Sequence, residues 1–164
     1  MQIERPVINA SPLIFLAGVN GLEWITKIAS NPVAVPLAVR NEVAAGEGGT
    51  AIVAQIENDS RFYITADVTV PSEIVAWDLG AGESQVLAHS LQQAGSTAIL
   101  DDKAARECAK SLNLHVLGTL GIVMIAKRRG WIDHVQPVVA HLRATGMFLS
   151  DVLVNEVLRE MGEG

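Results

Sequence analysis

Short apolar runs and longer helical periods take turns along this chain, and their alternation predicts its elements. Residues 3–9 read as a strand ending at Asn9. Ser11 then reads as a helix cap and Pro12 as the first helical position. That helix carries Leu13, Ile14 and Leu16 and stops at Gly18. A second short helix starts near Gly21 and carries Leu22, Trp24, Ile25 and Ile28. Two prolines bracket a strand, PVAVP, over 32–36. PLAVRNEVAAG is a helix with Val39 and Val43 on one face, closed by Gly46. GGTAIVAQIENDS reads as another helix and residues 61–66 as a strand. PSEIVAWDLGAGE begins as helix or loop and leads into a glycine-rich turn. A helix over 82–94 follows, with Val86, Leu87, Leu91 and Ala94 inward. Residues 97–102 are a strand, a helix runs to about Ser111, and residues 114–119 are the last strand. LGIVMIAKRRG is a helix, and the tail over 133–161 forms two amphipathic helices joined at GMFLSD.

Strands separated by helical stretches predict a doubly wound parallel sheet with helices on both faces. No repeat or low-complexity segment interrupts the pattern, so residues 1–164 read as one domain that includes the tail helices. Composition adds that the core is aliphatic, since hydrophobic residues make up 49% and aromatics only 4%. Apolar helix positions at Leu120, Ile122, Val123 and Ile125, and at Val152, Leu153, Val157 and Leu158, are expected to leave an exposed stripe. A net charge of −6 excludes the global basic field of a DNA-coating protein. It leaves room for an enzyme that meets nucleic acid through a metal and a local basic patch. The single cysteine, Cys108, forms no internal disulfide and sits at a core position of a helical pattern. The start lacks a secretory pattern, and no run reaches the ~18 apolar residues of a membrane span. A soluble cytoplasmic protein with no membrane partner is expected.

Sheets of this kind hold ligands at the carboxyl ends of their strands. The polar residues there are Asn9 with Ser11, Asp101 with Asp102, and Thr119 after Gly118. Glu42 and Glu83 lie in helices that flank the same edge. Carboxylates gathered without histidine or cysteine suit a hard cation such as Mg²⁺ or Mn²⁺. Such ions hydrolyse phosphodiesters. Each residue also has a plainer reading. Asp102 fits a helix N-cap, Glu83 a first-turn acid, Glu42 a solvated helix position and Asn9 a turn cap. Lys103, Arg106 and Lys110 follow the Asp pair at helical spacing, as a solvated face or as contacts to substrate phosphates. His89, His115, His134 and His141 are scattered without metal-ligand spacing, and no nucleotide-binding or nucleophile-elbow motif occurs.

NASPLIFLAGVNGLEWI, VPLAVRNEV, LGAGESQVLAHSLQ, the long block ILDDKAARECAKSLNLHVLGTLGIVMIAKRRGWI and FLSDVLVNEVLREMGE together resemble PIN-domain proteins. The match is to the prokaryotic members with a DTSPLI-type start, relatives of VapC-like ribonucleases. The resemblance runs in order along nearly the whole chain. It implies a three-layer α/β/α fold with a central parallel sheet. It also implies a Mg²⁺- or Mn²⁺-dependent ribonuclease cutting single-stranded RNA, in many relatives the toxin of a toxin–antitoxin module with an antitoxin protein as partner, and, as in many PIN proteins, a homodimer. Carried over by position, Asn9, Glu42, Glu83 and Asp101 become the catalytic and metal-holding set. Ser11, Asp102 and Thr119 become supporting residues, and Lys103 and Arg106 contacts to RNA.

The departure is at Asn9, where the family pattern has aspartate. An amide keeps the shape and one acceptor but loses the charge. Three readings follow: an active nuclease slowed by Asn9, a PIN-fold protein that binds RNA or a protein without turnover, and a natural aspartate replaced to silence the enzyme. A phosphatase-like enzyme using Asp101 and Asp102 is a more distant alternative, since no nucleophile-aspartate motif follows the first strand.

Overall fold

A computed structural model describes residues 1–164. Five strands form its sheet: β1 (Glu4–Ile8), β2 (Val33–Pro36), β3 (Phe62–Thr65), β4 (Ser96–Ile99) and β5 (His115–Leu117). They pair in the order β3-β2-β1-β4-β5, every pair parallel. Ten helices surround them: α1 (Ala10–Gly18), α2 (Leu22–Ile28), α3 (Leu37–Ala45), α4 (Gly49–Glu57), α5 (Ser72–Val75), α6 (Ala81–Leu91), α7 (Lys103–Ser111), α8 (Thr119–Arg128), α9 (Gln136–Ala144) and α10 (Asp151–Glu160). This is the three-layer α/β/α arrangement that the alternation predicts.

Parallel strands need crossovers, and right-handed ones fix which face each helix covers. The chain walks outwards from β1 to β2 to β3, so α1 to α4 lie on one face. It then jumps back to β4 and on to β5, which puts α6 and α7 on the other. Helix α8 returns to pack on α1 and α2. Being covered on both sides explains why β2 and β4 are buried at every residue. The edge strands β3 and β5 are only partly buried. The core is aliphatic, a single cluster of 38 residues in which Ile8, Leu13, Ile25, Ile99, Leu100 and Ile122 have no exposed surface. Cys108 lies within it.

Several expected boundaries shift, each for a local reason. Helix α1 begins at Ala10, so Asn9, in an extended conformation, is its cap residue. Ser11 lies inside the first turn and turns its hydroxyl to Asp101, a charged acceptor, instead of capping. Pro12 is tolerated there because the first-turn N–H groups have no helical partner to lose. Strand β4 ends at Ile99, so Asp101 and Asp102 lie beyond it in the turn to α7. Thr119 is the first residue of α8, not the end of β5. Helix α6 stops at Leu91, leaving Ala94 outside it and exposed. The stripe expected on α8 is instead core: Ile122, Val123 and Ile125 are buried. Exposed apolar surface gathers at Phe148, Val152 and Leu153. No helix is long and apolar enough to cross a membrane.

Candidate functional site

Strand order reverses between β1 and β4, the position at the carboxyl edge where open sheets of this kind bind ligands, and both strands end there. Asn9 follows β1, and its backbone N–H donates to Ile99 O of β4 at 3.1 Å. Asp101 follows β4 by two residues. Helix α3, leaving β2, carries Glu42, and α6, entering from the opposite face, carries Glu83 in its first turn. These two helices pack on each other over the edge.

The closest convergence is at Gly82. A Cβ built on this glycine would stand 2.8 Å from Glu42 Oε2 and 2.9 Å from Asn9 Oδ1. The residue next to it is Glu83, and the Glu83 charge reaches Glu42. Burial first and Glu83 repulsion second push the Glu42 carboxyl above its ordinary value of 4.5. Asn9 is 4% exposed, and its Oδ1 accepts no hydrogen bond. An orphaned buried acceptor costs about 1–3 kcal/mol unless a water or an ion meets it. One carboxylate oxygen and one unpartnered carbonyl oxygen meet at a gap that only a glycine leaves open, and such oxygens are the donors a small hard cation takes. Asn9 and Glu42 therefore fit a divalent ion there, with Glu83, whose Oε2 lies beside Gly80, as the acid close enough to be felt by Glu42.

Asp101 stands in a second cluster at the same edge. Its Oδ1 accepts from Thr119 N–H at 2.8 Å, and its Oδ2 accepts from the Thr119 hydroxyl at 2.6 Å and the Ser11 hydroxyl at 3.2 Å. Thr119 is fully buried. Three donors occupy most of the lone-pair positions of one carboxylate. No three His, Cys, Asp or Glu side chains gather into one metal-holding group. The set of Glu42, Glu83 and Asp101 around a single ion, which the carry-over implies, is thus divided in two. Asp101 is turned towards α8, where Thr119 holds it.

The remaining expected residues fall as follows. Asp102 caps α7, its Oδ2 accepting from Ala105 N–H at 3.0 Å, so the plainer reading describes it. Arg106 lies over Gly118 and donates through Nη1 to Leu100 O at 3.2 Å. Lys103 is exposed on α7. Three further residues serve the site without having stood out in the sequence. Gly82 keeps the gap open. Asp67 caps α3 from a distant loop, accepting from Ala38 N–H at 3.0 Å. Gln85, buried on α6, clasps that same loop by accepting from Val68 N–H at 2.9 Å and donating to Val68 O at 2.8 Å. The loop thereby ties the helix of Glu42 to the helix of Glu83. The GAGE spacing was the available signal for Gly82; nothing local marks Asp67 or Gln85.

A parallel α/β/α sheet with polar groups at its switch point is an open doubly wound sheet, the class that binds ligands at the carboxyl ends of its strands. Within that class, a family model described as a PIN domain matches residues 5–163. The chain belongs to the PIN-domain family, whose fold is of nuclease type. No curated protein matches it.

Proposed function

We propose that this protein is a metal-dependent endoribonuclease acting on single-stranded RNA, slowed by the amide at position 9. The observation that carries this reading is the buried, unpartnered Oδ1 of Asn9 facing Glu42 across the Gly82 gap. A bound Mg²⁺ or Mn²⁺ supplies polarisation of the phosphate and an activated water. Asn9, Glu42 and Glu83 hold it, and the mutual repulsion of the two glutamates favours its uptake. Asp101, fixed by Thr119 and Ser11, borders the site without being free to move. The amide adds a neutral donor where a carboxylate would add charge, which weakens ion binding and lowers the rate.

A second reading has its own support. Position 9 carries no charge and Asp101 is largely satisfied by hydrogen bonds, so the fold also suits a PIN protein that binds RNA or a partner protein with no turnover. Cleavage of single-stranded RNA with Mn²⁺ separates the two. The nuclease reading expects slow cleavage that stops with a chelator and with Glu83→Gln. Absence of cleavage, together with no Mn²⁺ binding by calorimetry, would exclude it. The role of toxin, and a cytoplasmic antitoxin partner, is tested by growth arrest on expression of the Asn9→Asp variant.

A further inference from the structure

The connection from β3 to α6, residues 66–80, begins and ends at the carboxyl edge of the sheet, because β3 stops there and α6 runs back from it towards the parallel strand β4. It is pinned along its length. At the front, Asp67 holds the start of α3 and Gln85 of α6 holds Val68. In the middle, Ile74 is fully buried and α5 packs on α6. At the rear, a Cβ on Gly80 would stand 2.5 Å from Glu83 Oε2. Between these anchors two large apolar side chains are left in solvent, Val75 and Trp77. Trp24 is buried in the core and Trp131 is half-buried beneath Lys27 and Arg129. Trp77, 37% exposed, has neither cover. The turn that presents it is fixed: Trp77 N–H donates to Ile74 O and Asp78 N–H to Val75 O, each at 3.0 Å. Asp78 then takes the left-handed region at φ 52°, which aspartate accepts more readily than most residues. Three residues on comes Gly80, so the two Cα atoms are no more than about 11 Å apart.

We propose that Trp77 is a stacking platform for a base of single-stranded RNA whose phosphate lies at the Glu42–Glu83 site, an inference that rests on the nuclease reading of that site. Unpaired bases offer flat π-faces, and aromatic side chains take them up. An indole held on a fixed turn loses little freedom when a base stacks on it. The charges of the segment favour a base over a phosphate. Its ionisable side chains are Asp67, Glu73 and Asp78, with no lysine or arginine among residues 66–80. The ion takes the phosphate and Trp77 the base. The size of the patch points the same way. Two apolar side chains flanked by exposed Glu73 and Asp78 match one base, whereas a protein interface buries about 800 Å² on each partner. Stacking tolerates any base, so Trp77 adds affinity with little sequence preference.

Fluorescence anisotropy of a labelled single-stranded RNA, titrated with the full chain in Mn²⁺, tests it; Glu83→Gln serves as the parent protein so that the RNA stays whole. Trp77→Ala in this parent weakens binding by roughly tenfold. Trp77→Phe recovers most of the affinity. Trp77→Leu, which fills the packed part of the site but has no π-face, does not, so the loss reports stacking and not the fold. The salt dependence of binding keeps its slope, since no phosphate contact is removed. A single abasic position moved along the RNA finds one place where its cost equals that of Trp77→Ala and the two costs do not add. Equal affinity of the parent and Trp77→Ala overturns the inference and leaves the nuclease reading standing. Recovery by Trp77→Leu as full as by Trp77→Phe, or abasic costs that add to Trp77→Ala at every position, overturns it as well. A parent that binds no RNA, with a wild type that cleaves none, overturns both.

Discussion

Asn9 Oδ1 and Glu42 Oε2 face one point in space, the place where Gly82 lacks a side chain, at 2.9 Å and 2.8 Å. Both are acceptors, and neither offers the other a proton while Glu42 is ionised. Something positive placed between them, or a water donating to both, removes the conflict. That relationship makes Gly82→Ala the most economical probe of the gap. The new methyl displaces both oxygens. Alanine also favours a helix over glycine by up to ~1 kcal/mol, which offsets part of the strain. The expected result is an Mn²⁺ affinity lowered by roughly tenfold, about 1.4 kcal/mol, with the melting temperature in chelator moved by less than about 4 °C. Calorimetry and thermal denaturation read the two effects separately. An unchanged affinity places the ion elsewhere.

Asn9→Asp exchanges metal-free stability for metal affinity. A third carboxylate beside Glu42 and Glu83, in a position 4% exposed, adds repulsion and desolvation when no ion is present. In chelator the variant melts lower than wild type. With Mn²⁺ at saturation the order reverses, because binding to the folded state alone adds stability by mass action. A variant more stable than wild type in chelator contradicts the placement of position 9 among the acids.

Thr119 and Asp101 make the shortest polar contact at the edge, 2.6 Å from hydroxyl to Oδ2. Thr119→Val keeps the volume and removes the donor, leaving Asp101 with the backbone N–H and Ser11. The expected loss of stability is about 1–3 kcal/mol by denaturant unfolding, and Thr119→Ser recovers most of it. Ser11→Ala costs less, since its contact is 3.2 Å and Ser11 is only half-buried where Thr119 is fully buried.

Two glutamates give opposite pH signatures. Burial raises the Glu163 carboxyl, but bonds from Val135 N–H, Gln136 N–H and Lys127 outweigh it and hold the group below its ordinary value of 4.5. Its stabilisation is therefore present above pH 4.5 and is lost as pH falls through the lower folded value. Glu163→Gln should flatten the acid limb of the stability curve. Glu42 is raised by burial and by Glu83. Its ionisation costs stability, a cost that appears as pH rises from 4.5 through the raised value. Glu42→Gln is expected to raise the melting temperature at neutral pH in chelator, with no gain at low pH. Thermal melts across pH check both signs.

Strand and helix order was legible because the central strands are buried on both faces and read as unbroken apolar runs. VAVP is the clearest case, with every residue buried; STAI is equally buried but opens on Ser96 and Thr97. Boundaries were less legible where a side chain prefers a distant partner. Ser11 looks like a cap until Asp101, 90 residues away, is brought beside it. Periodicity marks an apolar stripe on α8 without saying what covers it, and α1 and α2 do so. At the site, Asn9, Glu42 and Glu83 were legible from strand ends and the family pattern. The partition of Asp101 into its own cluster was not, since it depends on Thr119 beginning a helix. The clasp of Asp67 and Gln85 depends on contacts 29 and 17 residues apart, beyond any local pattern.

The most direct measurement of the central claim is the rate of single-stranded RNA cleavage with saturating Mn²⁺, comparing the wild type with Asn9→Asp. A site that is assembled but short of one charge is expected to gain roughly tenfold or more in rate from the aspartate, with both activities abolished by chelator and by Glu83→Gln. Equal rates in the two proteins, or no cleavage by either, would contradict it.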